Sequence, residues 1–248
     1  MEQIQIFNTP IDNVSFEEMS EILENSLREN HLTKIYTPNT EIVMRAKDDE
    51  EISDLINRGD YRVADGIGLI YGAKIHRSPL KERVTGVDLS YRLLEIAQRE
   101  GYGVFFLGGR PGVAKRAMVQ VQEKYPGIRI VGEHHGYFKE DEEVIEEINK
   151  SGTDILFVGL GFPKQEAWID KNGQALESVK IAIGNGGVLD LLAGDAKRAP
   201  EILIKLGLEW LHRLIMQPSR FKRQLAIPKF LYQVIKDRNA VKVIERDE

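Results

Sequence analysis

Cysteine is absent from the 248 residues of this chain. That absence excludes disulfides, thiolate metal sites and a cysteine nucleophile. No apolar run approaches the roughly 20 residues that an α-helix needs to span a bilayer, so any meeting with a membrane is expected at its surface. The amino-terminal stretch MEQIQIFNTPIDNV lacks the basic and apolar regions of a signal peptide, which points to the cytoplasm. Neither a Walker A sequence nor a Gly-x-Ser-x-Gly elbow occurs. No Asp-x-Asp pair is present to hold a metal on a diphosphate. Histidines 31, 76, 134, 135 and 212 have no metal-ligand spacing and read as structural or exposed. Neither a metal nor a cofactor is expected.

What is present suffices for a sizeable core. Hydrophobic residues make up 42% of the chain, enough for one domain or one domain with an appendage. The net charge of −5 conceals an asymmetry. From Lys197 onward 12 Lys and Arg face 6 Asp and Glu, whereas the preceding residues carry 22 and 33. The acidic body argues against a nucleic-acid partner, and the basic segment predicts an anionic partner of its own.

Strand and helix patterns alternate along the body. Strands are expected over residues 4–7, 34–37, 61–64, 103–107, 128–131, 155–158 and 179–183. Ser15-Phe16-Glu17-Glu18 is a capping box that opens a helix to about residue 30. Further helices are expected over 87–99, 113–124 and 140–150. The alternation implies an α/β, Rossmann-like, mostly parallel sheet with helices on both faces, and ligands at the carboxyl ends of its strands. From Pro200 onward the pattern is helical only. The body is therefore read as 1–198 and an all-helical basic appendage as 199–248. In its last part Phe221, Phe230, Leu231, Val234 and Ile235 alternate with Arg220, Lys222, Arg223, Lys229, Lys236 and Lys242. This amphipathic pattern suits insertion at an anionic membrane surface. It equally suits packing on the body or between subunits of a homo-oligomer.

Three expected strands run straight into glycines, at Gly108-Gly109, Gly159-Leu160-Gly161 and Gly184-Asn185-Gly186-Gly187. Glycine lets a backbone turn sharply and approach a ligand, and a helix start behind it offers N–H groups to an anion. Together these loops would form a crevice suited to a diphosphate. Around them stand residues with two readings each. Thr37 ends a strand or contacts a ligand, and Asn39 caps a helix or orients one. Asp65, between a strand and Gly66, is a helix cap or faces the crevice. Arg83 is solvated or binds an anion. Tyr137 stacks on a base or lies in the interior. Glu166 favours a helix dipole, Gln165 is a candidate sugar or phosphate ligand, and Asp190 could hydrogen-bond a ribose or a uracil.

The longer string is more specific than any of its parts. Gly159-Leu160-Gly161 precedes Pro163-Lys164-Gln165-Glu166, and Gly186-Gly187-x-x-Asp190-x-x-Ala193-Gly194-x-x-x-Arg198-Ala199-Pro200 follows. With Thr37-x-Asn39, Ala64-Asp65-Gly66 and Glu82-Arg83-x-x-Gly86, this resembles the WecG/TagA/CpsF glycosyltransferases over residues 37–223. Asn185 departs from the pattern, which usually has an apolar residue there. The resemblance implies a metal-independent, inverting transfer of N-acetylmannosamine from its UDP form to lipid-linked N-acetylglucosamine, the linkage-unit step of wall teichoic acid assembly. It implies that Asp65 is the catalytic base, because an attacking hydroxyl must lose its proton. Arg83 would neutralise the departing diphosphate in place of a metal. Arg213, Arg220 and Arg223 are the appendage arginines best placed to close over the crevice. Relatives transferring another UDP-hexose, such as N-acetylmannosaminuronic acid, are the nearest alternative. A dinucleotide-dependent oxidoreductase lacks its Gly-x-Gly-x-x-Gly after the first strand, and a non-catalytic membrane scaffold would leave Asp65 and the glycine loops unused.

Overall fold

A computed structural model describes residues 1–216 and 225–246. The chain opens with an antiparallel hairpin, β1 (Glu2–Ile6) and β2 (Thr9–Asp12). The expected strand over residues 4–7 thus lies outside the parallel sheet. Its physical reason is the two-residue connection, which can join only antiparallel neighbours. Helix α1 (Phe16–Ser26) follows, opened by the expected capping box of Ser15 and Glu18.

The body is a six-stranded sheet of β3 (Thr33–Tyr36), β4 (Tyr61–Arg62), β5 (Gly103–Gly108), β6 (Arg129–His134), β7 (Ile155–Gly159) and β8 (Ile181–Gly184). The order is β4-β3-β8-β7-β5-β6 and each pairing is parallel. Its central strands are continuous apolar runs because both faces are covered. Val104 and Phe106 of β5, with Ile155 and Phe157 of β7, point to one side. There they meet α1, α5 (Gly86–Glu100), α6 (Val113–Lys124) and α9 (Val188–Leu192). Phe105, Leu107, Leu156 and Val158 point to the other. That side is closed by α2 (Thr40–Asp48), α3 (Glu50–Asn57), α7 (Asp141–Ser151) and α8 (Lys164–Asn172). The α/β, Rossmann-like reading is the observed architecture.

The C-terminal segment is less of an appendage than its pattern implies. Helices α10 (Glu201–Lys205) and α11 (Glu209–Met216) follow, and the Gly207 turn between them lies against Ile67 and Tyr71 of α4 (Ile67–Ile75). Helix α12 (Ala226–Lys236) then packs on α4 and α2. The chain ends in β9 (Val241–Glu245), an antiparallel partner of β1 over five residues. The segment is therefore helical as expected but not all-helical. Phe230 and Val234 are completely buried with Leu69, Ala73, Ile4 and Ile6 in a third apolar cluster. Of the expected membrane-inserting residues, these two are core, Ile235 is exposed and Phe221 lies outside the described residues. Among the described residues no helix is long and apolar enough to cross a membrane.

Candidate active site

Every strand of the parallel sheet delivers its carboxyl end to one edge, and short backbone bonds stitch the loops together there. Gly136 N–H donates to Gly109 O at 2.9 Å, Gly109 N–H to Gly159 O at 3.0 Å, and Asn185 N–H to Val158 O at 2.9 Å. Thr37 Oγ1 lies 3.4 Å from Gly184 O, and Asp65 N–H donates to Pro38 O at 3.1 Å. Gly108 explains why glycine is needed. Its φ is +135°, and a Cβ there would lie 2.4 Å from Gly159 O, so β5 and β7 could not leave the sheet this close together.

Above the stitched turns lies a cleft of about 720 Å³. Gly109, Gly159, Gly161, Gly186, Tyr137 and Asp190 line it, as the sequence pattern suggests, and Gly108, Gly184 and Gly187 shape the turns around it. Tyr137 is 68% exposed, which removes its interior reading. Arg110 and Lys164 also line the cleft and were missed. Both stand in the same glycine loops, and a cation beside a glycine turn is the signal that could have found them. Two cations over a row of turns suit a phosphate-bearing ligand.

The other group of residues lies across the β8 loop. Asn39 is an N-cap: its Oδ1 accepts from the N–H of Glu41 at 2.9 Å and of Ile42 at 3.2 Å. Asp65 is not one, because α4 is capped by Gly66 without a side-chain bond. A Cβ on Gly66 would sit 3.1 Å from Asn39 Cβ, which places the Asp65–Gly66 turn against the Thr37–Asn39 turn. Asn185 turns inward to donate to Ser90 Oγ at 3.0 Å, tying the β8 loop to α5 rather than reaching into the cleft. Arg83 is held by Glu209 of α11 at 2.5 Å, and Arg198 pairs with Asp88. Arg83 is therefore not simply solvated; a carboxylate 126 positions away pairs with its guanidinium.

Gln165 departs from the expectation of a ligand contact. It is 5% exposed, and its amide is engaged below the cleft: Oε1 accepts from Gly161 N–H at 3.1 Å and Nε2 donates to Glu166 Oε1 at 2.9 Å. The first turn of α8 folds this side chain under the glycine turn instead of over it. Glu166 is buried beside it, and desolvation pushes its carboxyl up to about 7. Of the appendage arginines, Arg213 lies in α11, while Arg220 and Arg223 lie outside the described residues.

A parallel sheet whose glycine turns and cations meet at its carboxyl edge, with an acidic turn alongside, defines an α/β protein with a cleft whose lining suits an anionic ligand. Comparison with known proteins makes the class specific. The model of the glycosyl transferase WecG/TagA/CpsF family matches residues 4–243, and this chain belongs to that family. It is 35% identical over 243 residues to N-acetylglucosaminyldiphosphoundecaprenol N-acetyl-beta-D-mannosaminyltransferase of Staphylococcus aureus strains MRSA252 and MW2, covering 97% of this chain and 95% of theirs. The enzyme of the same name from strain NCTC 8325 is similar to the same extent. The chain is thus a hexosyltransferase, and the oxidoreductase and scaffold readings fall away.

Proposed function

We propose that this glycosyltransferase moves N-acetylmannosamine from UDP-N-acetylmannosamine to N-acetylglucosamine carried on a polyprenyl diphosphate, with inversion and without a metal, in wall teichoic acid linkage-unit synthesis. The activity in the relatives' name supports the sugar and the acceptor. The observation that carries the reading is the β8 loop, which borders the glycine cleft through Gly186 and the Thr37–Asp65 side through Gly184. Donor diphosphate and acceptor base then lie on either side of one loop. The acceptor hydroxyl oxygen bonds to the anomeric carbon as the bond from that carbon to the diphosphate oxygen breaks. The hydroxyl proton passes to Asp65, and the electron pair leaves with UDP. Arg83 exchanges Glu209 for the departing phosphate, and Thr37 and Asn39 orient the acceptor.

Guanidinium and backbone N–H groups take the place of a metal in this reading. UDP is expected to bind in the presence of EDTA, as followed by calorimetry. Binding that needs added manganese would overturn the metal-free part of the proposal.

The acceptor's lipid brings the enzyme to an anionic membrane surface from the cytoplasmic side. Exposed Tyr71 and Ile75 of α4, Ile202 and Leu206 of α10, and Ile215 and Met216 of α11 offer apolar side chains for this contact, with exposed Lys229, Lys236 and Lys242 as cations. Each apolar side chain contributes about 1.5–3 kcal/mol when fully buried. Ile215→Glu with Met216→Glu is therefore expected to reduce co-sedimentation with anionic liposomes roughly tenfold or more while UDP still binds. Unchanged sedimentation would move the membrane contact elsewhere.

A further inference from the structure

Glu166 lies directly under the glycine turns and has no part in the transfer step. It is 1% exposed, and its Oε2 has no hydrogen-bond partner. Burying a carboxyl with an unpaired oxygen is costly, and an apolar side chain of similar volume would fill the space at lower cost. Its other oxygen, Oε1, accepts from Gln165 Nε2 at 2.9 Å. The far end of the same amide, Gln165 Oε1, accepts from Gly161 N–H at 3.1 Å. A Cβ on Gly186 would meet Gln165 Oε1 at 3.0 Å, and one on Gly184 would meet Gln165 Nε2 at 3.2 Å and Glu166 Oε1 at 3.3 Å. The pair is thus wedged between the turn after β7 and the turn after β8.

An amide side chain has two nearly isosteric ends, one accepting and one donating. If Gln165 turned over, its NH₂ would face the Gly161 N–H, donor against donor, and the turn would keep only its backbone bond from Gln165 N–H to Gly161 O. In its ionised form the Glu166 carboxyl only accepts, so Gln165 then directs its NH₂ to Glu166 and its oxygen to Gly161. We propose that Glu166 is a positioning residue: by fixing the orientation of the Gln165 amide, it sets the separation of the two glycine turns that receive the donor diphosphate. This rests on the nucleotide reading of the cleft given above.

Three variants at this position separate the role from simple packing. Leucine fills the volume and offers no acceptor, so Glu166→Leu is expected to weaken UDP binding about tenfold or more, without lowering the melting temperature. Glutamine keeps an acceptor but can itself turn over, so Glu166→Gln is expected to lose less than Glu166→Leu. In a Gln165→Ala background, neither substitution is expected to weaken UDP binding further. A Glu166→Leu protein that binds UDP within twofold of wild type overturns the proposal. So does Glu166→Gln binding as weakly as Glu166→Leu, or losses that add in the Gln165→Ala background. Should Glu166→Leu fail to fold, Glu166→Gln with and without Gln165→Ala decides by the same additivity. Absence of UDP binding by the wild-type protein overturns the nucleotide reading first and this role with it.

Discussion

Replacing Asp65 with asparagine is expected to lower turnover by about 10²–10⁴, the usual weight of general base catalysis, while UDP affinity and melting temperature stay at the wild-type level. Asparagine has nearly the shape of aspartate but cannot take the acceptor's proton at neutral pH. The structure removes loss of a helix cap as a competing explanation. Helix α4 begins at Gly66 without a side-chain cap, so the substitution does not uncap it. The turn itself is held by backbone, through Asp65 N–H to Pro38 O at 3.1 Å, and that bond survives in the variant. Turnover with lipid-linked acceptor and calorimetry with UDP form the two arms. A variant that turns over at the wild-type rate would reduce Asp65 to a residue of the turn. One that loses UDP binding would place it on the donor side of the β8 loop instead.

The parts of this fold that could be read in advance are those governed by local rules. Continuous apolar runs at β5, β7 and β8 announce strands covered on both faces, and the glycines after them announce where the backbone must turn tightly. Ser15 with Glu18 is a capping box in the sequence and in the structure. Other features depend on partners far along the chain. Arg83 could be recognised as an arginine suited to phosphate, but nothing near it in sequence announces Glu209. Gln165 reads as a sugar or phosphate ligand behind a glycine turn, yet its amide turns down to Gly161 and Glu166. Asn185 broke the expected pattern because it reaches Ser90 on α5, a contact visible only once β8 and α5 are side by side. An amphipathic stripe likewise states that a face will be covered and not by what.

That ambiguity is sharpest at α12, where Phe230→Ala is expected to cost about 3–5 kcal/mol, lowering the thermal midpoint by many degrees. Phe230 is completely buried and packs on Gly72 of α4, where a Cβ would lie 2.7 Å from its ring. Its ring meets the edge of Phe7 at 6.1 Å and 89°. Alanine would leave a cavity bounded by the hairpin, α4 and α12, three elements already anchored elsewhere and unable to collapse into it. The hairpin is held by β9, and Arg246 locks that end: its backbone N–H donates to Met1 O at 3.1 Å, and its guanidinium lies 3.6 Å from Asp12 and 4.5 Å from the Tyr61 ring centre. Ile235 on the same helix is 66% exposed, and Ile235→Ala is expected to change stability by no more than about 0.5 kcal/mol. Thermal melts of the two variants in the absence of lipid make the comparison. A chain cut after Gln217 loses α12 and β9 together, so it should melt below even Phe230→Ala and lose UDP binding as well as liposome binding. If instead Phe230→Ala melts like the wild type and leaves liposomes, α12 does not belong to the core, and its apolar face returns to the membrane.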